Sequence, residues 1–330
     1  MSLLSIVVPV YNGEAYLAAF VGSVTPLLST GQVQLLFVND GSTDQTGSLL
    51  DEMARNEPCI GVIHVPNGGQ GRAKNIGALA SVGRFLWFVD VDDLLRVAPG
   101  PAFLLQLAGD TDLVLVGYER VDIDSGRVLG TYLPAAPGID GSLEQIARFD
   151  IYGHSAWNKI VRRELYLHAG HAFLEGVIHE DLAVVPLWLS RARQITFDRH
   201  VRYSYGVRAS SSIHGNYSRH PDMIMALSHL MAQGRHDDAR IGPSVVKEVF
   251  FYSLPRFAGG LGRGCSWAAY MRCYRDSMAM YRGIPAARRA RFTARFSLAS
   301  RLYIGATAAG FFFLPLAVSL AKRVRDARNA

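Results

Sequence analysis

Through the first hundred residues of this chain, short apolar runs alternate with amphipathic stretches. Leu4 to Val10, Gln34 to Val38, Gly61 to Val65 and Phe85 to Val89 are brief and rich in β-branched or aromatic residues, as strands buried on both faces are. Between them, residues 14 to 28, 44 to 56 and 70 to 82 predict helices, with Asn12, Asp44 and Asn67 near their starts. Such alternation predicts an α/β fold, a Rossmann-like, mostly parallel sheet with helices on both faces. From about residue 110 the pattern loosens. A strand pair at 112 to 117 and 119 to 123, helices near 142 to 149 and 180 to 191, and a strand near 200 to 206 are expected, and residues 220 to 330 read as mostly helical.

In parallel sheets, ligands bind off the carboxyl ends of the strands. Those positions are polar here: Pro9-Val10-Tyr11-Asn12 follows the first strand, Asn39-Asp40-Gly41-Ser42-Thr43-Asp44 the second, and Asp90-Val91-Asp92-Asp93 the fourth. On an extended backbone Asp90 and Asp92 share a side, and two clustered carboxylates can hold a hard divalent cation that keeps waters and takes phosphate oxygens. A solvated turn or a helix cap before Leu94 would use the same residues. Asp40 could accept hydrogen bonds from a base or ribose, or simply close an Asx turn before the helix at 44. Asn67-Gly68-Gly69-Gln70-Gly71-Arg72-Ala73-Lys74 is a glycine-rich loop entering a helix, with two cations that could meet a diphosphate. It lacks the Gly-Lys-Ser/Thr of a Walker loop and the order of a dinucleotide fingerprint, which disfavours a kinase or a dehydrogenase.

Composition narrows the class. Hydrophobic residues make up 49% and charged residues 19% of 330, enough apolar surface for a large core, which excludes a disordered, collagen-like or coiled-coil chain. Cys59, Cys265 and Cys273 are too few and scattered for a disulfide framework. The N-terminus has no basic segment ahead of its apolar run, which Pro9 interrupts, so a cytoplasmic protein is expected. The net charge of +6 suggests nucleic acid until it is located: residues 282 to 330 carry ten Lys/Arg against the single acid Asp326, so the remainder is mildly acidic. That distribution fits an anionic membrane surface and no nucleic acid.

Taken together, Pro9-Val10-Tyr11-Asn12, Val38-Asn39-Asp40-Gly41-Ser42-Thr43-Asp44, Asn67-Gly68-Gly69, Ala73-Lys74-Asn75-Ile76-Gly77 and Val89-Asp90-Val91-Asp92-Asp93 resemble the successive motifs of the family 2 glycosyltransferases with the GT-A fold. The resemblance continues through Trp157-Asn158-Lys159, His179-Glu180-Asp181-Leu182, Tyr203-Ser204-Tyr205 and Arg208-Ala209-Ser210-Ser211-Ser212. It implies a GT-A domain over 1–215, with a nucleotide-sugar half at 1–105 and an acceptor half at 106–215, and leaves 216–330 as a helical C-terminal extension. It further implies inverting, metal-dependent transfer from a nucleotide sugar, most simply a UDP-sugar, to a saccharide or lipid-linked saccharide in surface polysaccharide or glycolipid assembly. Pro9, Tyr11, Asn12, Asp40, Asn67, Lys74, Asp90 and Arg208 would bind the donor, with Tyr11 packing on the nucleobase and Lys74 standing where the family usually has Arg. Asp92, with Asp90, would hold Mg2+ or Mn2+. Asp181 would be the general base, with Glu180 beside it, since an inverting transfer needs a carboxylate to take the acceptor hydroxyl's proton. A Glu-Asp pair also complements the start of a helix dipole. Trp157 is either a sugar-stacking wall or a core residue. A fold retained as a non-catalytic membrane scaffold and another nucleotide-dependent transferase are the alternatives.

Residues 302 to 321 carry no charge between Arg301 and Lys322-Arg323 and as a helix would extend about 30 Å. Pro315 and the small residues argue against a simple span. Upstream, Phe292, Phe296, Ala299 and Tyr303 form an apolar stripe flanked by Arg288, Arg291 and Arg295. An in-plane amphipathic anchor on the inner face of the plasma membrane is the expectation, with a buried core helix as the alternative.

Overall fold

The four predicted strands form and pair side by side. β1 (Leu4–Val10), buried along its whole length, lies between β2 (Val33–Asp40) and β4 (Phe85–Phe88), parallel to both. β3 (Ile60–Val65) adds a parallel strand outside β2. The crossovers are α1 (Glu14–Leu28), α2 (Thr46–Asn56) and α3 (Gln70–Ala80). α3 approaches the sheet closely because Gly77 has no side chain: a Cβ there would sit 2.4 Å from Val7 Cγ1. The computed structural model describes residues 2–98, 100–107, 109–134, 154–168, 172–208, 221–230, 232–233, 249–250, 254–259, 261, 266–293, 298–311, 314–315 and 318–319. The helix expected near 142 to 149 therefore lies outside the described residues.

Beyond β4 the sheet is mixed rather than parallel. β8 (Lys159–Arg162) runs antiparallel to β4, β6 (Leu113–Asp122) antiparallel to β8, and β9 (Ile195–Val207) parallel to β6. β5 (Leu94–Leu95) pairs with β9 and β7 (Val128–Tyr132) with β6, giving the order β3-β2-β1-β4-β8-β6-β9-β5. The expected strand pair at 112 to 123 is one ten-residue strand. Gly117, just before the expected gap, is a bulge site: the register against β9 shifts on both sides of it, and a Cβ there would lie 2.5 Å from the His200 carbonyl oxygen.

Strand alternation feeds two cores. Ile6, Val8, Val10 and Trp87 face a cluster that includes Leu17, Phe20 and Val24 of α1, whereas Val7, Leu86 and Phe88 face one built on Tyr166, Phe173 and Trp188. Helices thus cover both faces. α4 (Gly100–Leu104), α5 (Arg163–Leu167) and α6 (Val185–Arg191) complete this unit. α6 starts later than expected because Pro186 occupies its first turn, where a missing N–H is harmless. Residues 179 to 184 are turns closed by Leu182 N to His179 O and Val184 N to Asp181 O.

The chain divides into two compact units, Met1–Ala209 and Ser210–Ala330. In the second, α7 (Pro221–Leu230), α8 (Leu254–Gly259), α9 (Trp267–Gly283), α10 (Ala286–Thr293) and α11 (Leu298–Ala308) are described. α9 is capped by Ser266, whose hydroxyl accepts from Ala269 N at 3.1 Å. α11 is bound to it: Tyr274 Oη donates to Thr307 O at 2.6 Å and Arg282 Nη2 to Ala308 O at 2.9 Å. The helix stops there because Gly310 takes φ 116° while Phe311 N bonds back to Ala306 O. The apolar stretch from 302 is therefore not one 20-residue helix, and no helix among the described residues is long and apolar enough to cross a membrane. Tyr303, expected on the apolar stripe, is half-buried and donates its hydroxyl to Phe250 O at 2.9 Å. Phe296 lies outside the described residues.

Candidate active site

The loops after β1 and β2 are stitched together. Asn12 has a left-handed φ of 50°, an uncommon conformation that asparagine tolerates better than most residues. Its N–H donates to Ser42 Oγ at 2.9 Å and its Oδ1 accepts from Thr43 N at 2.8 Å. Gly13 N reaches Thr46 Oγ1 at 2.8 Å, and Gln45 N donates to Glu14 Oε2 at 2.8 Å. The Asn12 side chain is thus committed to the fold. Tyr11, on the same turn, is 53% exposed, and Pro9 is buried in β1 opposite Val38.

Asp40, at the end of β2, is buried, and its two carboxylate oxygens accept from Gly68 N and Gly69 N, both at 2.8 Å. The glycine-rich loop can close on it because Gly41 is a glycine: at φ 72°, a Cβ there would lie 2.7 Å from Asn67 N. The loop's two cations have partners within the chain. Arg72 Nη1 donates to Pro66 O at 2.9 Å, and Lys74 turns inward.

Lys74 is the centre of an acidic cluster drawn from distant parts of the chain. Its ammonium lies 2.9 Å from Glu180 Oε1, 3.9 Å from Asp90 Oδ1 and 5.2 Å from the centroid of Phe173. Lys74 and Glu180 are each only 5% exposed, so the cation expected on the donor and the carboxylate expected beside the base form a buried pair. Burial works to lower the Lys74 pKa, but Glu180, Asp90 and Asp181 outweigh it and hold the group above its ordinary value. Burial pushes Asp90 up to about 6, opposed by Lys74 and assisted by Asp92 and Glu180. Burial also pushes Asp181 up to about 7; Glu180 and Asp90 raise it further, while Lys74 and His154 pull it back. Behind Asp181 lies the wholly buried Lys159, donating to Ser155 O at 2.7 Å and Asn158 Oδ1 at 2.8 Å, its pKa lowered to about 7 by burial against the pull of Asp181.

The aspartates after β4 do not continue the strand. The chain turns, Asp93 N donating to Asp90 O at 3.2 Å, so the alternation rule does not govern Asp90 and Asp92. Asp90 Oδ1 receives Gln70 Nε2 at 2.6 Å. Asp92, 40% exposed, meets Arg208 Nη1 at 3.2 Å, and Arg208 lies 4.4 Å over the ring of Tyr16. Asp93, to which the sequence assigns no role, is buried and accepts from Tyr203 Oη at 2.6 Å and Gly206 N at 2.7 Å. It pins β9 to the aspartate turn two residues before Arg208. Adjacency to the paired acids was its only signal in the sequence, and Gln70 had none beyond its place in the glycine-rich loop. Trp157 sits in an aromatic stack with Tyr203 and Tyr205, at centroid distances of 4.6 and 5.3 Å. Ser210 to Ser212 lie outside the described residues.

The donor set around the turn suits a hard cation that shares its ligands with a phosphate. Asp90 and Asp92 supply carboxylate oxygens, and among the described residues no group of three or more His, Cys, Asp or Glu forms an all-protein cage. Arg208 Nη2 is a buried donor with no hydrogen-bond partner among the described residues, a position an anionic oxygen would satisfy.

Residues 5–167 match the family model described as glycosyl transferase family 2. The chain is 30% identical over 183 residues to the glycosyltransferase EpsJ of Bacillus subtilis, covering 53% of this chain and 52% of EpsJ, so it spans about half that relative's length. It is 28% identical over 225 residues to the glycosyltransferase GlyG of Streptococcus pneumoniae, covering 63% of this chain and 72% of GlyG. Among solved structures it resembles residues 1-349 of S. aureus TarS in complex with UDP-GlcNAc, with a TM-score of 0.74 at 19% identity over 97% of this chain and 91% of that one. That likeness speaks to the fold, and the fold is GT-A. Through residues 5–167 this chain belongs to glycosyl transferase family 2.

Proposed function

We propose that the chain is an inverting glycosyltransferase that moves a sugar from a nucleotide diphosphate donor to a saccharide or lipid-linked saccharide in bacterial surface polysaccharide or glycolipid assembly. The observation that carries this reading is the carboxylate of Asp181, raised to about 7 by burial and by Glu180, in one cluster with Lys74 and Asp90. A base near neutrality beside an aspartate turn and an arginine is what hydroxyl attack on a diphosphate-activated sugar requires.

In this reading Tyr11 lies flat on the nucleobase, and its exposure supports that role. Arg208 accompanies the diphosphate with its planar donor fork. Asp181 takes the acceptor hydroxyl's proton as the oxygen attacks the anomeric carbon opposite the departing diphosphate. Lys74 and Glu180 hold the base's surroundings and touch neither substrate. Mg2+ or Mn2+ would be held by Asp92 and Asp90, and when bound it supplies positive charge to the diphosphate oxygens. A UDP-sugar is the proposed donor; the UDP-GlcNAc in the TarS structure supports that choice.

Titration with UDP, GDP and CDP, with and without Mn2+, tests the reading. UDP is expected to bind with a metal requirement, and Asp92→Ala is expected to weaken metal-dependent binding roughly 100-fold. Failure of all three nucleotides to bind under either condition would overturn it.

We further propose that residues 282–330 rest on an anionic membrane surface from the cytoplasmic side. Leu298 and Leu302, one helical turn apart on α11, are 65% and 66% exposed, and Arg301 beside them is exposed as well. Co-sedimentation with vesicles containing anionic phospholipid should be measurable, and Arg288→Glu with Arg301→Glu should weaken it by about 30-fold or more. Equal partitioning of this variant and the parent would remove the membrane from the proposal.

A further inference from the structure

His64 takes no part in the chemistry above, yet it stands in the middle of a continuous hydrogen-bond chain. Asp51 Oδ1 on α2 lies 3.0 Å from His64 Nε2, and His64 Nδ1 lies 2.9 Å from Asn39 Nδ2. Asn39 Oδ1 then accepts from Ser42 N at 3.1 Å, and Ser42 Oγ accepts from Asn12 N at 2.9 Å. Both ends fix the polarity of this chain, because a carboxylate can only accept and a backbone N–H can only donate. Asn39 must therefore turn its oxygen to Ser42 and its NH2 to His64. The imidazole must then carry its single proton on Nε2 and offer a lone pair at Nδ1. Asn39 is buried, so its amide has its hydrogen-bond needs met within the chain, and Gly47 leaves the amide its space, since a Cβ there would lie 3.2 Å from Asn39 Nδ2 and 3.8 Å from His64 Cε1.

We propose that His64 is a positioning residue for donor binding: its singly protonated ring holds Asn39, and through Asn39 the junction of Ser42 and Asn12 beside Tyr11, and uptake of a second proton releases that junction. This rests on the donor reading above. A proton on Nδ1 would point an N–H at the Asn39 NH2. Turning the amide over would repair that contact and set the NH2 against Ser42 N–H instead, so one bond of the chain is lost either way. The charged neighbours come from two elements. α2 contributes Asp51, with Arg55 Nε donating to its carbonyl oxygen at 3.2 Å, and β2 contributes Asp40, whose carboxylate is taken by Gly68 and Gly69. Within β3, His64 is the titratable residue.

Hydrogen exchange at the Ser42 amide and UDP titration, each at about pH 8 and about pH 5.5, test this in the parent, His64→Gln and His64→Leu proteins. Glutamine can offer an amide oxygen to Asn39 and does not titrate. Between the two pH values the parent is expected to lose roughly tenfold more Ser42 protection and UDP affinity than His64→Gln, with His64→Leu weak at both. The UDP phosphate, Asp90 and Asp181 titrate in all three proteins, so the comparison cancels them. Equal loss of protection in the parent and His64→Gln overturns the proposal. Diverging protection with parallel UDP affinities overturns the link to donor binding. If none of the three binds UDP at the higher pH, the donor reading falls, and the exchange data still decide whether His64 holds the junction.

Discussion

Replacing Asp181 with asparagine is expected to slow sugar transfer roughly a thousandfold while leaving nucleotide affinity within about twofold. Asparagine keeps the shape of the side chain and cannot accept the hydroxyl proton, so the loss falls on the chemical step rather than on donor binding. The pH dependence has a definite sign. The base works ionised, and burial together with Glu180 raises it to about 7, so the parent's rate should fall as pH drops through neutrality. The slope should approach about tenfold per unit well below that point. A single-turnover pH profile on both proteins checks this, because the acid limb should vanish from the residual activity of the variant. Transfer at the parent rate by Asp181→Asn would remove Asp181 from the mechanism.

The second large effect is on folding. Lys74→Met is expected to destabilise the chain by roughly 3–5 kcal/mol, because it removes the cation from among Glu180, Asp90 and Asp181 and leaves buried carboxylates facing one another. The ion pair itself is not the source of so large a number; stranding the opposite charge is. Lys74→Met combined with Glu180→Gln should therefore be more stable than Lys74→Met alone, the two residues being coupled. Urea unfolding of the parent, both single variants and the double variant gives the cycle. A Lys74→Met loss below about 1 kcal/mol, with no coupling to Glu180, would show that the cluster is held by other means.

Sequence order carried the architecture further than it carried the wiring. β1 and α1 form over the predicted bounds because each is a long run of one period, and the crossovers that follow leave the first four strands little alternative. β6 differs from the expected strand pair because a bulge at Gly117 lets one strand carry on through the gap at 118, and α6 starts later than expected because Pro186 suits the first turn of a helix and not its interior. In the candidate site, the motifs named Asp90, Asp92, Glu180, Asp181 and Arg208 but not their partners in the fold. Lys74 meets Glu180 across 106 residues of chain, a pairing set by how β8 and the turns before α6 return to the carboxyl ends of the first strands. Asp40 shows the same limit, since the two backbone amides its carboxylate accepts from, Gly68 and Gly69, were not legible in the sequence. Its type and place after a strand mark it as an acceptor, and only the folded backbone says which groups of the chain come within reach.

The bond from Gly206 to Asp93 has a consequence for how far Arg208 can travel. With Tyr203 and Gly206 both fastened to one buried carboxylate, β9 is moored two residues short of the arginine. Two residues of extended backbone span about 7 Å. Arg208 is therefore on a short leash: its backbone stays within that span of the anchor at Gly206, which keeps the root of its side chain beside the aspartate turn where the guanidinium meets Asp92.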